Sequence, residues 1–171
     1  MQPLLERLMT TFPDAVRGVE VDTARNEITA RVAAARIVDV ARWLHDTPEA
    51  SFDHITDICS VDYPNDPERF EVVYQLLSLA HRRRIRLKAR VTEDAPQIAS
   101  VTGIWKGAEF MEREVYDLMG ITFVGHPDLR RILLPEDYEE GHPLRKDFPT
   151  EGRGWRSSFP VSELFPVVVD S

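Results

Sequence analysis

The chain has 171 residues, 43% hydrophobic and 29% charged, with a net charge of −8, which suits one globular domain or a domain with an appended arm. The acid excess argues against nucleic acid as the main partner, because phosphate binding needs a cationic surface. The single cysteine, Cys59, allows no internal disulfide and excludes a Cys-ligated iron–sulfur cluster, which takes about four thiolates; it is expected as a small core residue.

The opening MQPLLERLMTTFPDAV is too short and too charged for a signal peptide. Nothing approaches the roughly 20 apolar residues of a membrane span. A location in the cytosol, or peripheral on the cytosolic side of a membrane, is the expectation. Residues 3–11 predict a short helix, with Pro3 in its first turn and Leu4, Leu5 and Leu8 as its apolar stripe. Residues 26–32 alternate, with Ile28, Ala30 and Val32 on one face, which predicts a half-buried strand. The period then changes. Ile37, Val40, Ala41 and Leu44 fall at helical spacing over 35–46, and Pro48 stops the run.

A second strand is expected over 51–60, with weaker alternation. Two longer strands follow over 69–79 and 84–92, closed by Ala80 to Arg83 as an antiparallel hairpin. A short helix is expected from Pro96 to about Gly103. A better one spans 108–119, with apolar face Ala108, Met111, Val115, Leu118 and Met119 and with Gly120 as its C-terminal stop. The predicted fold is α+β, helices on a mostly antiparallel sheet over residues 1–119. Residues 120–171 are expected to form an extended, largely irregular arm docked on a partner. Phe159, Phe165 and Val167 to Val169 are candidate anchors for it.

Arg84, Arg86, Lys88 and Arg90 line one face of a strand. They form either a docking face for acidic groups or a solvated face with cross-strand partners such as Glu71. On the 108–119 helix, Glu109, Arg113 and Asp117 sit four apart. If exposed, they form an ion-pair stripe contributing about 0.2–0.5 kcal/mol per pair. Glu112 and Asp117 are the candidate carboxylates for acid/base chemistry, but no nucleophile with a base and no shaped loop accompanies them. His126 and His142 each stand between Gly and Pro, sixteen residues apart. That spacing is poor for zinc and predicts structural turns with locally bonded imidazoles. Arg130-Arg131 and Arg145-Lys146 lie close to Asp128, Glu136 and Asp147 and fit a polar interface.

The run Glu112-Arg113-Glu114-x-x-Asp117, Gly120-Ile121, Phe123, Gly125-His126-Pro127 and Leu129-Arg130-Arg131-Ile132-Leu133 resembles the signature of the 30 kDa subunit family of respiratory complex I, the bacterial NADH:quinone oxidoreductase. Gly141-His142-Pro143-Leu144-Arg145-Lys146-Asp147-Phe148-Pro149 is similar to a second block of the same family. Asp57-Ile58, Val61-Asp62-Tyr63 and Trp105 extend the likeness to about residues 25–150. The resemblance implies a domain with no cofactor of its own, FMN and iron–sulfur clusters lying in other subunits. It also implies a structural, non-catalytic role in the hydrophilic arm, beside the hydrogenase-like subunit that helps form the quinone cavity. The signature residues then serve at subunit interfaces. Related subunits of membrane-bound hydrogenases and formate hydrogenlyases are the alternative, and a free-standing acid/base enzyme a remote one.

Overall fold

The computed structural model describes residues 2–23 and 27–154. The candidate anchors from Phe159 to Val169 lie outside them. Helix α1 (Gln2–Thr11) leads into strands β1 (Val16–Asp22) and β2 (Glu27–Val32). A single 3-10 turn (Ala34–Arg36) then opens helix α2 (Ile37–Asp46), and strands β3 (His54–Asp62), β4 (Phe70–Ser78) and β5 (Arg83–Val91) follow. The chain continues through β6 (Gln97–Ala99), α3 (Ala108–Met119) and β7 (Thr122–Val124).

The main sheet has the order β1-β2-β5-β4-β3. Only β2 and β5 run parallel; the other three pairs are antiparallel. The fold is α+β with a mostly antiparallel sheet, as its sequence pattern predicts. Leu4, Leu5 and Leu8 of α1 and Ile37, Val40, Ala41 and Leu44 of α2 share one apolar cluster with Ile85, Leu87, Ala89 and Val91 of β5. Period 3.6 on the helices and period 2 on the strands meet there, in one core. The opposite sheet face carries Glu71, Arg86, Lys88 and Arg90, cross-linked by Lys88–Glu71 at 2.9 Å and Arg90–Glu71 at 3.0 Å. That is the solvated, self-paired alternative for the basic face.

Three elements depart from the sequence pattern. Strand β1 is an additional strand, whose alternation is broken by a bulge between Val16 and Gly18. Strand β3 also carries a bulge, between Ile55 and Asp57. It lets Ile55 and Ile58 both face the core three residues apart, and so it weakens the period-2 signal. The helix expected from Pro96 to Gly103 is not formed. Residues 97–99 are a strand paired in parallel with β7, placing Ile98 beside Phe123, and only Val101 to Trp105 close a helical turn.

Cys59 is also not a core residue. It is exposed on the open face of β3, opposite Val73, because the bulge has already set Ile55 and Ile58 inward. The chain does not leave the domain at Gly120. Ile121 and Phe123 are buried in the same core, and the segment beyond returns along α3.

Candidate functional site around helix α3

Helix α3 is cut from an amphipathic pattern, but its buried side holds charges as well as apolar groups. Ala108, Val115 and Met119 are buried, and so are Glu112, Arg113 and Asp117. The exposed stripe Glu109–Arg113–Asp117 is therefore absent, since Arg113 and Asp117 point into the structure. A buried charge is costly unless hydrogen-bonded, and each of these bonds to loop backbone, Glu112 to the Ser100 hydroxyl as well.

Asp117, 1% exposed, accepts three backbone N–H groups at Oδ2, from Ile132 at 3.1 Å, Leu133 at 2.9 Å and Leu134 at 2.8 Å. Its Oδ1 lies 3.7 Å from the Arg131 guanidinium. Arg113 donates to the carbonyls of Arg130 (3.0 Å) and Arg131 (2.9 Å). One acid and one base on successive turns thus hold both the carbonyls and the N–H groups of the segment 130–134. Arg130 itself pairs with Asp128 on the surface at 2.8 Å.

His126 bridges the start of that segment to the helix. One ring nitrogen meets the Glu109 carbonyl at 2.9 Å, and the other accepts the Asp128 N–H at 3.0 Å. The Gly125 φ of +86° sets up this turn, and Pro127 follows it on the surface. The local bonding expected of His126 is half of the observation; its second contact reaches 17 residues back. Glu114 is exposed.

The second block caps the C-terminus of α3. Helices end with unpartnered carbonyls. Here the Gly120 N–H takes Tyr116 at 2.9 Å and the Leu144 N–H takes Leu118 at 3.1 Å. The His142 imidazole donates to Asp117 at 2.9 Å and the Arg145 guanidinium to Met119 at 2.8 Å. The Arg145 charge also suits the negative end of the helix dipole. Gly120 is left-handed (φ +72°), and a Cβ there would overlap both the His142 ring and the Arg145 guanidinium. Burial holds the His142 imidazole below its ordinary range. Pro143 is half-buried beside it.

A clasp at the far end of the block is set by residues outside the predicted site. Arg69, at the head of β4, forks onto Asp62 at 2.8 and 2.9 Å. It also reaches Asp147 and Glu93, both at 2.6 Å. Asp62 in turn accepts the Lys146 N–H at 2.8 Å. The Arg69 bonds, then the Lys146 N–H, hold the Asp62 carboxyl below the usual range, and Arg69 does the same for Asp147. Arg69 and Arg145 both lie against the Phe70 ring, at 5.0 and 4.8 Å from its centroid. The sequence signal for this clasp is a cation opening a long apolar strand, together with the Val61-Asp62-Tyr63 likeness.

Glu112, fully buried, accepts the Val101 N–H at 2.7 Å and the Ser100 hydroxyl at 2.6 Å. Burial raises its carboxyl above the ordinary range. It fixes the turn between β6 and α3. Both candidate carboxylates, Glu112 and Asp117, are buried. Among the described residues no three His, Cys, Asp or Glu side chains gather as a metal site, and no helix is long and apolar enough to cross a membrane.

Among the charged groups that α3 and its loops leave outward, such as Glu114, Asp128 and Arg130, stand apolar side chains. Ile132 is 37% exposed, Leu133 59% and Leu144 57%. Their backbone N–H groups bond inward, to the Asp117 carboxylate and the Leu118 carbonyl.

Residues 30–154 match the family described as respiratory-chain NADH dehydrogenase, 30 Kd subunit. The chain is 51% identical over 146 residues to a NADH-quinone oxidoreductase subunit of Roseiflexus sp. (strain RS-1), covering 85% of this chain and 82% of that protein. It is 50% identical over 152 residues to the subunit of the same name in Xanthobacter autotrophicus, covering 89% and 71%. Among solved structures it resembles the trypsin-resistant fragment (1-134) of Nqo5, with a TM-score of 0.62 and 32% identity over 75% of this chain and 98% of that one. It shares its fold with a chain of the membrane-bound sulfane sulfur reductase, an archaeal respiratory membrane complex, at a TM-score of 0.75 and 24% identity over 98% and 92% of the two chains. With the family's motifs folded onto α3 in one connected set, the chain belongs to the 30 kDa subunit family of the respiratory-chain NADH dehydrogenases.

Proposed function

We propose that this chain is a cofactor-free structural subunit of a proton-translocating NADH:quinone oxidoreductase. In this reading it sits on the cytoplasmic side of the membrane, in the hydrophilic arm, beside the hydrogenase-like subunit. It carries out no step of the electron path from NADH through FMN and iron–sulfur clusters to quinone. Its task is to hold the quinone-reducing module together.

One observation carries this reading. The signature charges Arg113, Asp117, His142 and Arg145 are bonded to the chain's own backbone, while Ile132, Leu133 and Leu144 face outward. A catalytic site keeps polar groups open to a substrate. A docking site presents apolar anchors on a rigid frame, as at the centres of protein interfaces. The relatives at about half identity are all named as subunits of one oxidoreductase, which favours this assembly over the hydrogenase and formate hydrogenlyase relatives.

The test is affinity isolation of the tagged chain from membranes in mild detergent, with NADH:quinone activity assayed on the eluate. Co-elution with a large hydrogenase-like subunit and flavin and iron–sulfur partners is expected. Leu133→Asp with Leu144→Asp should lose those partners while the variant chain keeps its circular dichroism. A nickel-bearing large subunit in the eluate would move the chain to the hydrogenase branch. Elution of the wild-type chain alone would overturn the scaffold role.

A further inference from the structure

The two signature blocks meet at one residue. Asp117 holds the first block through its carboxylate, which accepts the N–H groups of Ile132 to Leu134. It holds the second through its own main-chain carbonyl, which accepts the His142 imidazole. The other contacts of the second block with α3 fall on Leu118 and Met119, in the same turn. Arg131 of the first block lies 3.7 Å from Asp117 Oδ1.

We infer that residues 130–134 and 142–147 form a single cooperative strap, closed on α3 before any partner binds and opening as one unit through the last turn of that helix. Two features make the coupling physical. The side-chain position of Asp117 depends on the final helical turn, and beyond the Gly120 N–H on Tyr116 the carbonyls of that turn are capped by the second block, because the chain leaves the helix at Gly120. Fraying of the cap therefore moves the carboxylate that holds the first block. Conversely, the clasp of Arg69 on Asp62 and Asp147 ties the second block to the sheet. The sheet edge, the helix end and both blocks then share one set of bonds. A partner that grips Leu144 stiffens Leu133 as well, so the docking surface behaves as one preorganised patch. The inference concerns the free chain and holds whichever protein covers the patch.

The test is residue-resolved amide hydrogen exchange on the purified full chain. The N–H groups of Ile132, Leu133, Leu134, Leu144 and Lys146 are expected to be protected in the absence of any partner. In Arg145→Ala, which removes a bond of the second block only, the three first-block amides should speed up together with those of Leu144 and Lys146. The expected factor is roughly 3- to 10-fold, the size that one lost hydrogen bond carries. The amides of β4 and β5 should not change. If the arginine variant also loosens β4 and β5, Asp147→Ala at the exposed end of the clasp is read in the same way. Unchanged first-block amides in the readable variant would show two independent segments and overturn the proposal. So would an unprotected strap in the wild-type chain. Loss of co-purification with the coupling intact would refute only the assembly role.

Discussion

On the open face of the sheet, Glu71 receives Lys88 at 2.9 Å and Arg90 at 3.0 Å, and Arg31 meets Glu20 at 2.8 Å. On α3, Asp117 receives three backbone N–H groups and Arg113 two backbone carbonyls. The residue types are the same and the energetics are not. Arg31 and Glu20 are more than half exposed, and such a pair can exchange its partner for water at little cost. Asp117 and Arg113 are buried, and their partners are fixed peptide groups. If one is removed, two or three peptide groups lose their partner at once. Charges on the sheet therefore tolerate change, and charges on α3 dictate a loop conformation.

The sharpest way to break this contrast is Asp117→Ala. It orphans three N–H groups at once, and a loss of about 3–5 kcal/mol is expected in urea unfolding. Gly120→Ala should follow at about 1–3 kcal/mol, since the left-handed φ and the overlap with His142 and Arg145 act together. Arg113→Ala should fall in the same range, because freed carbonyls have two lone pairs and accept water more readily than N–H groups find acceptors. If Asp117→Ala were no worse than a surface substitution, the distinction between the two regions would be lost.

Much of this was legible in the residues. Helical spacing placed α1, α2 and α3 within a residue or two, and the β4–β5 hairpin followed from two long strand runs with a short connection between them. The misses share a cause. Bulges at Gly18 and at Asp57 shift a strand by one residue, so β1 and the buried face of β3, and with it the exposure of Cys59, escape a period-2 reading. Strand β6 is three residues long and owes its form to β7, which lies 25 positions away. In the site, helical spacing placed Glu109, Arg113 and Asp117 on one stripe but could not say which way it faced. The buried side of α3 includes Arg113 and Asp117 only because a loop 15 to 18 residues downstream supplies their backbone partners. Arg69 and Asp62 carry the clasp; each stands out locally, but their shared partner segment at Asp147 lies 78 positions beyond Arg69.

The pH response separates two of the buried groups. The folded-state pKa of Glu112 is raised above its ordinary 4.5 by burial. The folded chain then holds that proton more tightly than the unfolded one. Its contribution is fully present below 4.5 and is lost as pH rises through the raised value. His142 is lowered from 6.5 by burial, so its contribution is present above 6.5 and is lost as pH falls through the depressed value. Glu112→Gln keeps the N–H and hydroxyl contacts with a neutral side chain. It should flatten the stability profile on the alkaline side of 4.5 and leave the fall below 6.5 in place. His142→Gln should do the reverse. A Glu112→Gln profile that follows the wild type across both windows would show that its carboxyl is not shifted by folding.

The smallest effect belongs to the open face. Arg31→Ala and Glu20→Ala should each change stability by less than about 0.5 kcal/mol, and their double-mutant coupling should be about 0.2–0.5 kcal/mol. At about 1 M salt, where the screening length is near 3 Å, that coupling should vanish. Lys88→Ala should cost more, up to about 1 kcal/mol, because Glu71 is 2% exposed and would keep only Arg90 as its cation. The gradation tests the cause rather than the location. If burial of the acid sets the cost, Glu71 is intermediate between Glu20 and Asp117, although it lies on the sheet with the former. If position in the family signature sets the cost, Lys88→Ala matches Arg31→Ala, and burial is not what distinguishes α3 from the sheet.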